Sequence, residues 1–497
     1  MVEFSRPAAV AAALGGEDSQ RFTKKRVLLR GEADTLLTPN GQETFRASLL
    51  LLIRICEDVS VMVPEECAAV HADISGLIEQ FVPDRRPGIL PEGSEPDGFG
   101  AILSVGKKGR ADLPWTVINS DGWLARVSSL GGDLPDAGTR NNAIAAVGAA
   151  CLGVAEVFKR LIKLRSERGA LLDVTGFSFW TYGPATEDIG PDLGPFGIDV
   201  LLIGCGAIGS GTAYLLSRLP VSGRAVAVDP QEFRRENFGT SIILGEDGYD
   251  RPKAEVVAEL LKPKLDATPR VAAVKELGNE YDGSLPDIVL AGLDDVDPRH
   301  QVQNLWPALV IDGAVGGELT CQVSCHPWRA ETACLLCVFQ KPAVSLSELN
   351  AKATGLPESI ANDPDAIVTD EVIAAAAAEK RPWLDQHRGK RICSITSEAV
   401  LKFLSAESQR EGFAPAAPFV SCFSACMIVT ELFRYLTAGT NLPVPRFQLS
   451  LLWGPCRGVH FEENRREDCF CAARAANIDR VRSARGRHDS NVQSSDS

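Results

Sequence analysis

Short apolar runs alternate along this chain with longer stretches in which apolar residues recur every third or fourth position. That pattern predicts strands alternating with helices. KRVLLRG (Lys25 to Gly31) reads as a strand, GQETFRASLLLLIRIC (Gly41 to Cys56) as a helix and DVSVMVP (Asp58 to Pro64) as a second strand. Pro83 to Gly98 is rich in Pro, Gly and acids and predicts a loop. GAILSVG and WTVINS follow as strands, and a long helix runs from Ala143 to Leu164. Thr181 to Gly197 is a Gly/Pro-rich linker, after which the alternation resumes. It is interrupted between Gln340 and Arg391 by loops around an Ala-rich, charged helical segment, Asp370 to Lys380. Beyond Asn477 the chain is polar and predicts a disordered tail. These elements predict an α/β fold with largely parallel sheets.

DVLLIGCGAIGSGTAYLLSRL (Asp199 to Leu219) places an apolar strand directly before Gly204, Gly206, Ala207, Ile208 and Gly209, with a helical pattern starting at once. AVAVD ends the next strand on Asp229. This is a nucleotide-binding fingerprint in its proper context. The glycines let backbone approach a phosphate, the helix N-terminus supplies partial positive charge, and the acid suits a ribose hydroxyl. The first half lacks such a loop, yet it shares a helix with the second. AACLGVAEVFKRLI (Ala149 to Ile162) aligns without gaps to SACMIVTELFRYLT (Ser424 to Thr437). Identities fall at Ala150/Ala425, Cys151/Cys426, Val154/Val429, Glu156/Glu431, Phe158/Phe433 and Leu161/Leu436. Two core helices can match by chance. The matching order of strands and helices favours a duplicated domain whose first copy lost its nucleotide loop.

A length of 497 residues predicts two or three domains, and 45% apolar with 23% charged residues describes a globular protein. The net charge of −14 weighs against nucleic acid or an anionic membrane as partner. The longest run of small apolar residues, Ala143 to Ala155, is too short to span a bilayer. No secretory segment is recognisable, so the 14 cysteines suggest reduced thiols in a cytoplasm. Cys334 and Cys337 form a CxxC that suits tetrahedral zinc, with Cys469 and Cys471 as the second pair and Cys321, Cys325 and Cys456 as alternative ligands. Cys393 stands apart, after Lys390 and Arg391 and at the expected start of a helix with a Ser or Thr cap. Positive charge and a helix N-terminus there favour a reactive thiolate.

The ordered set of glycine loop, Asp229, Asn237, Lys253, Asp294 with Asp295, CLLC and EDCFCA spans Asp199 to Ala472. It resembles the adenylation domain of the ubiquitin-activating-enzyme superfamily, which includes ThiF/MoeB/HesA-like adenylyltransferases. Such enzymes activate the C-terminal glycine carboxylate of a carrier protein with ATP. The resemblance implies that Asp229 binds ribose, that Asn237 and Lys253 contact phosphates, and that Asp294, beside Asp295, holds Mg2+. Because two anions must approach each other, positive charge and metal should lower the barrier. CSIT at Cys393 resembles the sequence around the family's thioester-forming cysteine, in the crossover segment that carries it. The resemblance thus implies ATP, Mg2+ and a structural Zn2+. It also implies a ubiquitin-like protein ending in glycine and a separate ubiquitin-conjugating-type enzyme as partners.

The implied fold class is α/β, with two Rossmann-like adenylation-type domains, the first degenerate and the second active, and a helical cysteine-bearing insertion. The expected divisions are 1–190, 191–338, an insertion 339–415, a return segment 416–476 and a tail 477–497. The chain would be a monomer built as a pseudo-dimer, or a homo-oligomer. Its layout is similar to activating enzymes of bacterial ubiquitin-like conjugation operons, some of which serve antiviral defence. One departure concerns the Arg-Gln pair that the family usually carries three residues after the Asn. Here Thr240 and Ser241 stand there. Arg234, Arg235, or an arginine from the first half such as Arg6 or Arg21, are the candidate substitutes. The alternatives are sulfur-carrier adenylation in thiamine, molybdopterin or cysteine biosynthesis, a nicotinamide-dependent oxidoreductase, and a binding-only pseudoenzyme.

Overall fold

The computed structural model describes residues 2–492, apart from 16–20, 186, 189, 280–283, 330, 341–344, 364, 405–416 and 439–445. The first half forms β1 (Val27–Gly31), β2 (Val59–Met62), β3 (Gly88–Leu90), β4 (Ala101–Val105), β5 (Trp115–Asp121), β6 (Leu124–Ser128), β7 (Thr175–Ser178) and β8 (Gly183–Pro184). The second forms β9 (Phe196–Ile203), β10 (Val221–Val228), β11 (Asp266–Arg270), β12 (Ile288–Ala291), β13 (Leu309–Gly316), β14 (Thr320–Pro327), β15 (Arg446–Ser450) and β16 (Val459–Phe461). The sheet orders are β3-β2-β1-β4-β5-β6-β7-β8 and β11-β10-β9-β12-β13-β14-β15-β16. Strand for strand, these are the same topology. In each sheet the first five strands pair in parallel and the last three antiparallel. The repeat suggested by one pair of helices therefore extends over both halves.

Those helices, Ala143–Leu161 and Pro418–Ala438, occupy equivalent places between the sixth and seventh strands and pack on each other. Each buries an ion pair three residues apart, Glu156–Lys159 and Glu431–Arg434. Lys159 and Arg434 align in the same gapless register that pairs Glu156 with Glu431. Rings interleave across the junction, with Phe158 and Phe419 at 5.5 Å and Phe179 and Phe423 at 5.0 Å between centroids. One continuous apolar core thus serves both halves. Pro418–Thr437 is the one stretch among the described residues long and apolar enough to cross a membrane, and 89% of its apolar window is buried inside the protein.

The halves differ where the first strand ends. After β1 comes Glu32, whose carboxylate accepts from the backbone amides of Lys107 (3.0 Å) and Lys108 (3.1 Å) beyond β4. In the second sheet the corresponding gap, between the ends of β9 and β12, is where the glycine loop lies. A fixed carboxylate therefore satisfies, in the first half, amides of the kind that bind anions in such folds.

The second connection between halves is Arg54, at the end of helix Pro39–Leu52. It is fully buried, and its guanidinium donates to the carbonyls of Leu50, Ser241 (2.5 Å), Ile242 (2.7 Å) and Leu244 (3.1 Å). Its carbon lies 4.9 Å from the Phe238 ring centre and 5.1 Å from that of Phe81. Burial pushes its pKa down to about 9, so it is still cationic at neutral pH. The first half thereby holds the loop that follows Asn237. Truncating it leaves several buried carbonyls unpaired. Arg54→Ala is therefore expected to cost roughly 2–3 kcal/mol in urea denaturation, and an unchanged midpoint would refute the bracing role.

Among the described residues between Phe339 and the long helix at Pro418, five helices pack into a small core around Trp383, Leu384 and Ile395. The expected helix at Asp370 to Lys380 is shorter, Asp370–Ala375, and a separate helix Arg381–Asp385 follows. The tail corrects the expectation of disorder: Ala475–Val492 is helical. Ile478 is buried beside the cysteine pairs, and Arg482 and Arg485 donate to the carbonyls of Trp306 and Leu305. Polar composition misleads here because arginines capping another helix's carbonyls need no apolar face. Residues 493–497 lie outside the described part.

Candidate nucleotide site, thiol and cysteine cluster

Gly204 follows β9 with φ +84°, and a Cβ there would lie 2.7 Å from the Gly292 carbonyl. A Cβ on Gly209 would stand 1.9 Å from the Gly204 carbonyl. Both glycines are needed for the turn and for helix-to-strand packing. Gly206 differs: its Cβ direction is open, with nothing within 4 Å. Ala207 starts the helix Ala207–Arg218, while Ile208 is buried. The first-turn amides of a helix have no intrahelical partner, and this helix starts at the glycine loop, so the loop fits a phosphate.

Asp229 closes β10 and is 7% exposed. One carboxylate oxygen accepts from the Cys205 amide (2.8 Å), the other from the Gln231 amide (2.8 Å). Burial raises its pKa, while the charge of Lys253 and the two amides oppose that rise and Asp294 adds to it. Lys253, first residue of helix Lys253–Leu261, donates from Nζ to Gln231 Oε1 (2.7 Å). Lys253 and Asp294 thus both act electrostatically on Asp229, whose carboxylate is held by the Cys205 amide of the glycine loop. Lys253 is a compact cation of the kind that suits a phosphate.

Asp295 has a plainer place. It caps helix Val296–Asn304, accepting from the Val296 amide (2.6 Å). Arg299 on that helix binds both Asp312 oxygens (3.1 Å each) and donates to the Leu293 carbonyl. This buried pair, of which the sequence marked Arg299 but not its partner Asp312, fixes the loop bearing Asp294. Burial raises Asp312 to about 6, with Arg299 opposing.

Asn237 lies in the turn Arg235–Asn237, and its side-chain oxygen accepts from the Arg234 amide (2.9 Å). Thr240 and Ser241 are buried, and the Thr240 hydroxyl donates to the Asn237 carbonyl (3.1 Å). Of the candidate substitutes for the missing arginine, Arg234 is paired with Glu232, Asp250 and Asp365, and Arg235 with Glu3. Arg21 lies at the start of the short turn Phe22–Lys24. Arg6 belongs to helix Ser5–Leu14, which packs on the crossover helix Ile392–Phe403.

Cys393 is the second residue of that crossover helix. Its N-cap is Arg391, with no side-chain cap, in place of the expected Ser or Thr. The thiol donates to Glu236 Oε1 (3.5 Å), one residue from Asn237. Burial pushes the thiol up to about 11, the Glu236 carboxylate adds to the rise, and Arg6 and Arg391 oppose it. The expected thiolate is therefore a thiol at neutral pH, because burial and one carboxylate outweigh two arginines. Iodoacetamide alkylation of Cys393 should climb about tenfold per pH unit from pH 7 to 10. A plateau below pH 9, read by mass spectrometry, would contradict this.

Cys334, Cys337, Cys469 and Cys471 converge, all buried, with their sulfurs within 4.8 Å of one another. Contacts of 3.7 Å (Cys334–Cys337), 3.7 Å (Cys334–Cys469) and 3.6 Å (Cys337–Cys471) connect them. A zinc–sulfur distance of 2.3 Å gives a tetrahedron with edges of about 3.8 Å, so the cluster fits that ion. CxC spacing suffices because the second pair straddles the start of helix Phe470–Ala473. The alternative ligands are elsewhere: Cys321 and Cys325 lie in β14, and Cys456 is exposed.

A family model described as the ThiF family matches residues 197–469. Solved structures similar to the chain include E. coli MccB with MccA-N7isoASN (TM-score 0.34), with SeMet MccA (0.33) and with succinimide (0.32). Each is 14% identical, and each alignment covers 55% of this chain and 66% of that one, just under two thirds of the MccB length. No curated protein matches the chain. With more than half of its residues covered by that family model, this chain belongs to the ThiF family.

Proposed function

We propose that the chain uses ATP and Mg2+ to adenylate the C-terminal glycine of a ubiquitin-like protein, and then carries that protein as a thioester on Cys393. The observation that carries this reading is the asymmetry of the duplicated halves. Glu32 occupies the loop position in one, while Gly206 leaves it open in the other, beside Asp229, Lys253 and Asp294. In this reading Lys253 and the helix amides stabilise the phosphates, Asp229 holds the ribose and Asp294 the magnesium. Zn2+ in the cysteine cluster staples the fold and performs no chemistry, since four thiolates leave no open position. The placement of Cys393 beside the Asn237 turn supports transfer from adenylate to thiol. A conjugating-type enzyme then receives the acyl group, in the cytoplasm.

The test is incubation with MgATP and a ubiquitin-fold protein ending in glycine. The expected product is a DTT-sensitive adduct, absent from Cys393→Ala. Pyrophosphate exchange without an adduct would favour sulfur-carrier adenylation. An adduct that persists in Cys393→Ala would remove Cys393 from the mechanism. A second reading, a nucleotide-binding pseudoenzyme, is favoured by the engagement of Arg234 and Arg235 with carboxylates. It predicts MgATP binding with no exchange.

A further inference from the structure

Three distant parts of the chain meet at the thiol. Glu236, from the turn beside the nucleotide loop, is only 6% exposed and accepts from Cys393 at 3.5 Å. Arg6, from the N-terminal helix, and Arg391, just before the thiol, act on it as charges of the opposite sign. The N-terminal helix packs on the crossover helix, and the turn Val2–Phe4 packs on the turn that bears Glu236. Residues 6, 236 and 393 thus form a constellation in which Glu236 is buried and Arg6 and Cys393 are half-buried. A protonated thiol is a poor nucleophile, so attack on an acyl-adenylate needs somewhere for its proton to go.

We infer that Glu236 is the proton acceptor for Cys393 in thioester formation, with Arg6 and Arg391 compensating the charge that develops. This inference rests on the proposed thioester reading. In the step, the sulfur forms a bond to the acyl carbonyl carbon, and the bond from that carbon to the phosphate oxygen breaks. AMP leaves with that electron pair, and the thiol proton passes to the Glu236 carboxylate. No oxidant or further reactant is required. Glu236 also raises the proton affinity of the resting thiol, so it both quiets the cysteine and accepts its proton when the acyl group arrives.

These two roles make opposite predictions for one substitution. The probe is chemically prepared acetyl-glycyl-glycyl adenylate, added to the full-length chain, with acylation of Cys393 followed by mass spectrometry between pH 6 and 9. Glu236→Gln should slow acyl transfer about 100-fold at pH 7. Its rate should then rise in proportion to hydroxide, while wild type is far less dependent on pH. In the same variant, iodoacetamide alkylation of Cys393 should become faster, because the carboxylate that opposes thiolate is gone. Glu236→Asp should restore part of the transfer rate. Continued protection of the buried cysteines from alkylation, with only Cys393 and the exposed Cys456 reacting, reports that the variant is folded. Transfer in Glu236→Gln that matches or exceeds wild type overturns the inference and leaves the thioester reading intact. A wild-type chain that binds MgATP but never acylates Cys393 overturns both.

Discussion

Replacing Cys334 by serine is expected to lower the melting temperature by more than about 10 °C, the largest stability effect of any single substitution in this chain. Cys334 is the N-cap of helix Leu335–Val338 and Cys337 lies within it, while their partner Cys469 is 135 residues beyond Cys334. The sulfurs hold together the end of the β14 loop, the return segment after β16 and the start of the terminal helix. Trp328, which donates to Asp479, and Arg482, which donates to the Trp306 carbonyl, join the same segments. The surrounding apolar cluster is small, built on Trp306, Ala333 and Ile478 besides the cysteines. Four thiols at these separations gain little from each other, whereas a zinc–thiolate site contributes folding free energy directly. The Arg466 amide, 3.5 Å from the Cys337 sulfur, adds the kind of hydrogen bond that orients a ligand. Elemental analysis should give one zinc per wild-type chain, and strong chelators should reproduce the effect of Cys334→Ser. A metal-free chain that melts like wild type would remove the staple.

Gly206→Val should weaken MgATP binding more than about 100-fold, equivalent to about 2.7 kcal/mol, while leaving the melting temperature within a degree or two. The reason lies in what a side chain meets there. At Gly204 and Gly209 it meets backbone, so substitution damages the fold. At Gly206 it meets open space, so the methyls intrude only where a phosphate would lie. Lys253→Ala should act in the same direction by removing the buried cation beside Asp229, with a loss of about 10- to 100-fold from one charge-assisted contact. Glu32→Ala in the first half should leave MgATP binding unchanged, because that half lacks the glycine loop. Calorimetric titration with MgATP distinguishes these outcomes. Full binding by Gly206→Val would place the nucleotide elsewhere.

Much of the fold was legible because the signals are local. Strand-then-glycines-then-helix fixes the loop at Gly204 to Gly209 within a dozen residues, since φ and steric approach are decided by immediate neighbours. The CxxC at Cys334 reads the same way. The echo between Ala149–Ile162 and Ser424–Thr437 survives because both helices bury a carboxylate with a basic partner one turn on, a costly arrangement that constrains sequence. Asp295 was legible only as an acid near a strand end; whether it caps a helix or faces the nucleotide depends on where that helix turns. Cys393 was read as a thiolate from its own neighbours, Lys390 and Arg391. Burial holds the proton on the thiol, and the carboxylate that adds to this arrives from 157 residues away.

By itself, the sequence determined the α/β class, the duplicated layout, the nucleotide loop and the cysteines fit for zinc, all properties written in short windows or in their repetition. Only the tertiary structure decided that Glu32 fills the first half's loop position, that Arg54 braces the second half's loop, that the tail is a helix, and that Glu236 faces Cys393. Each of these joins residues far apart in the chain. A buried charge takes its effect from whichever groups surround it once water is excluded, and the order of residues along a chain does not specify that company.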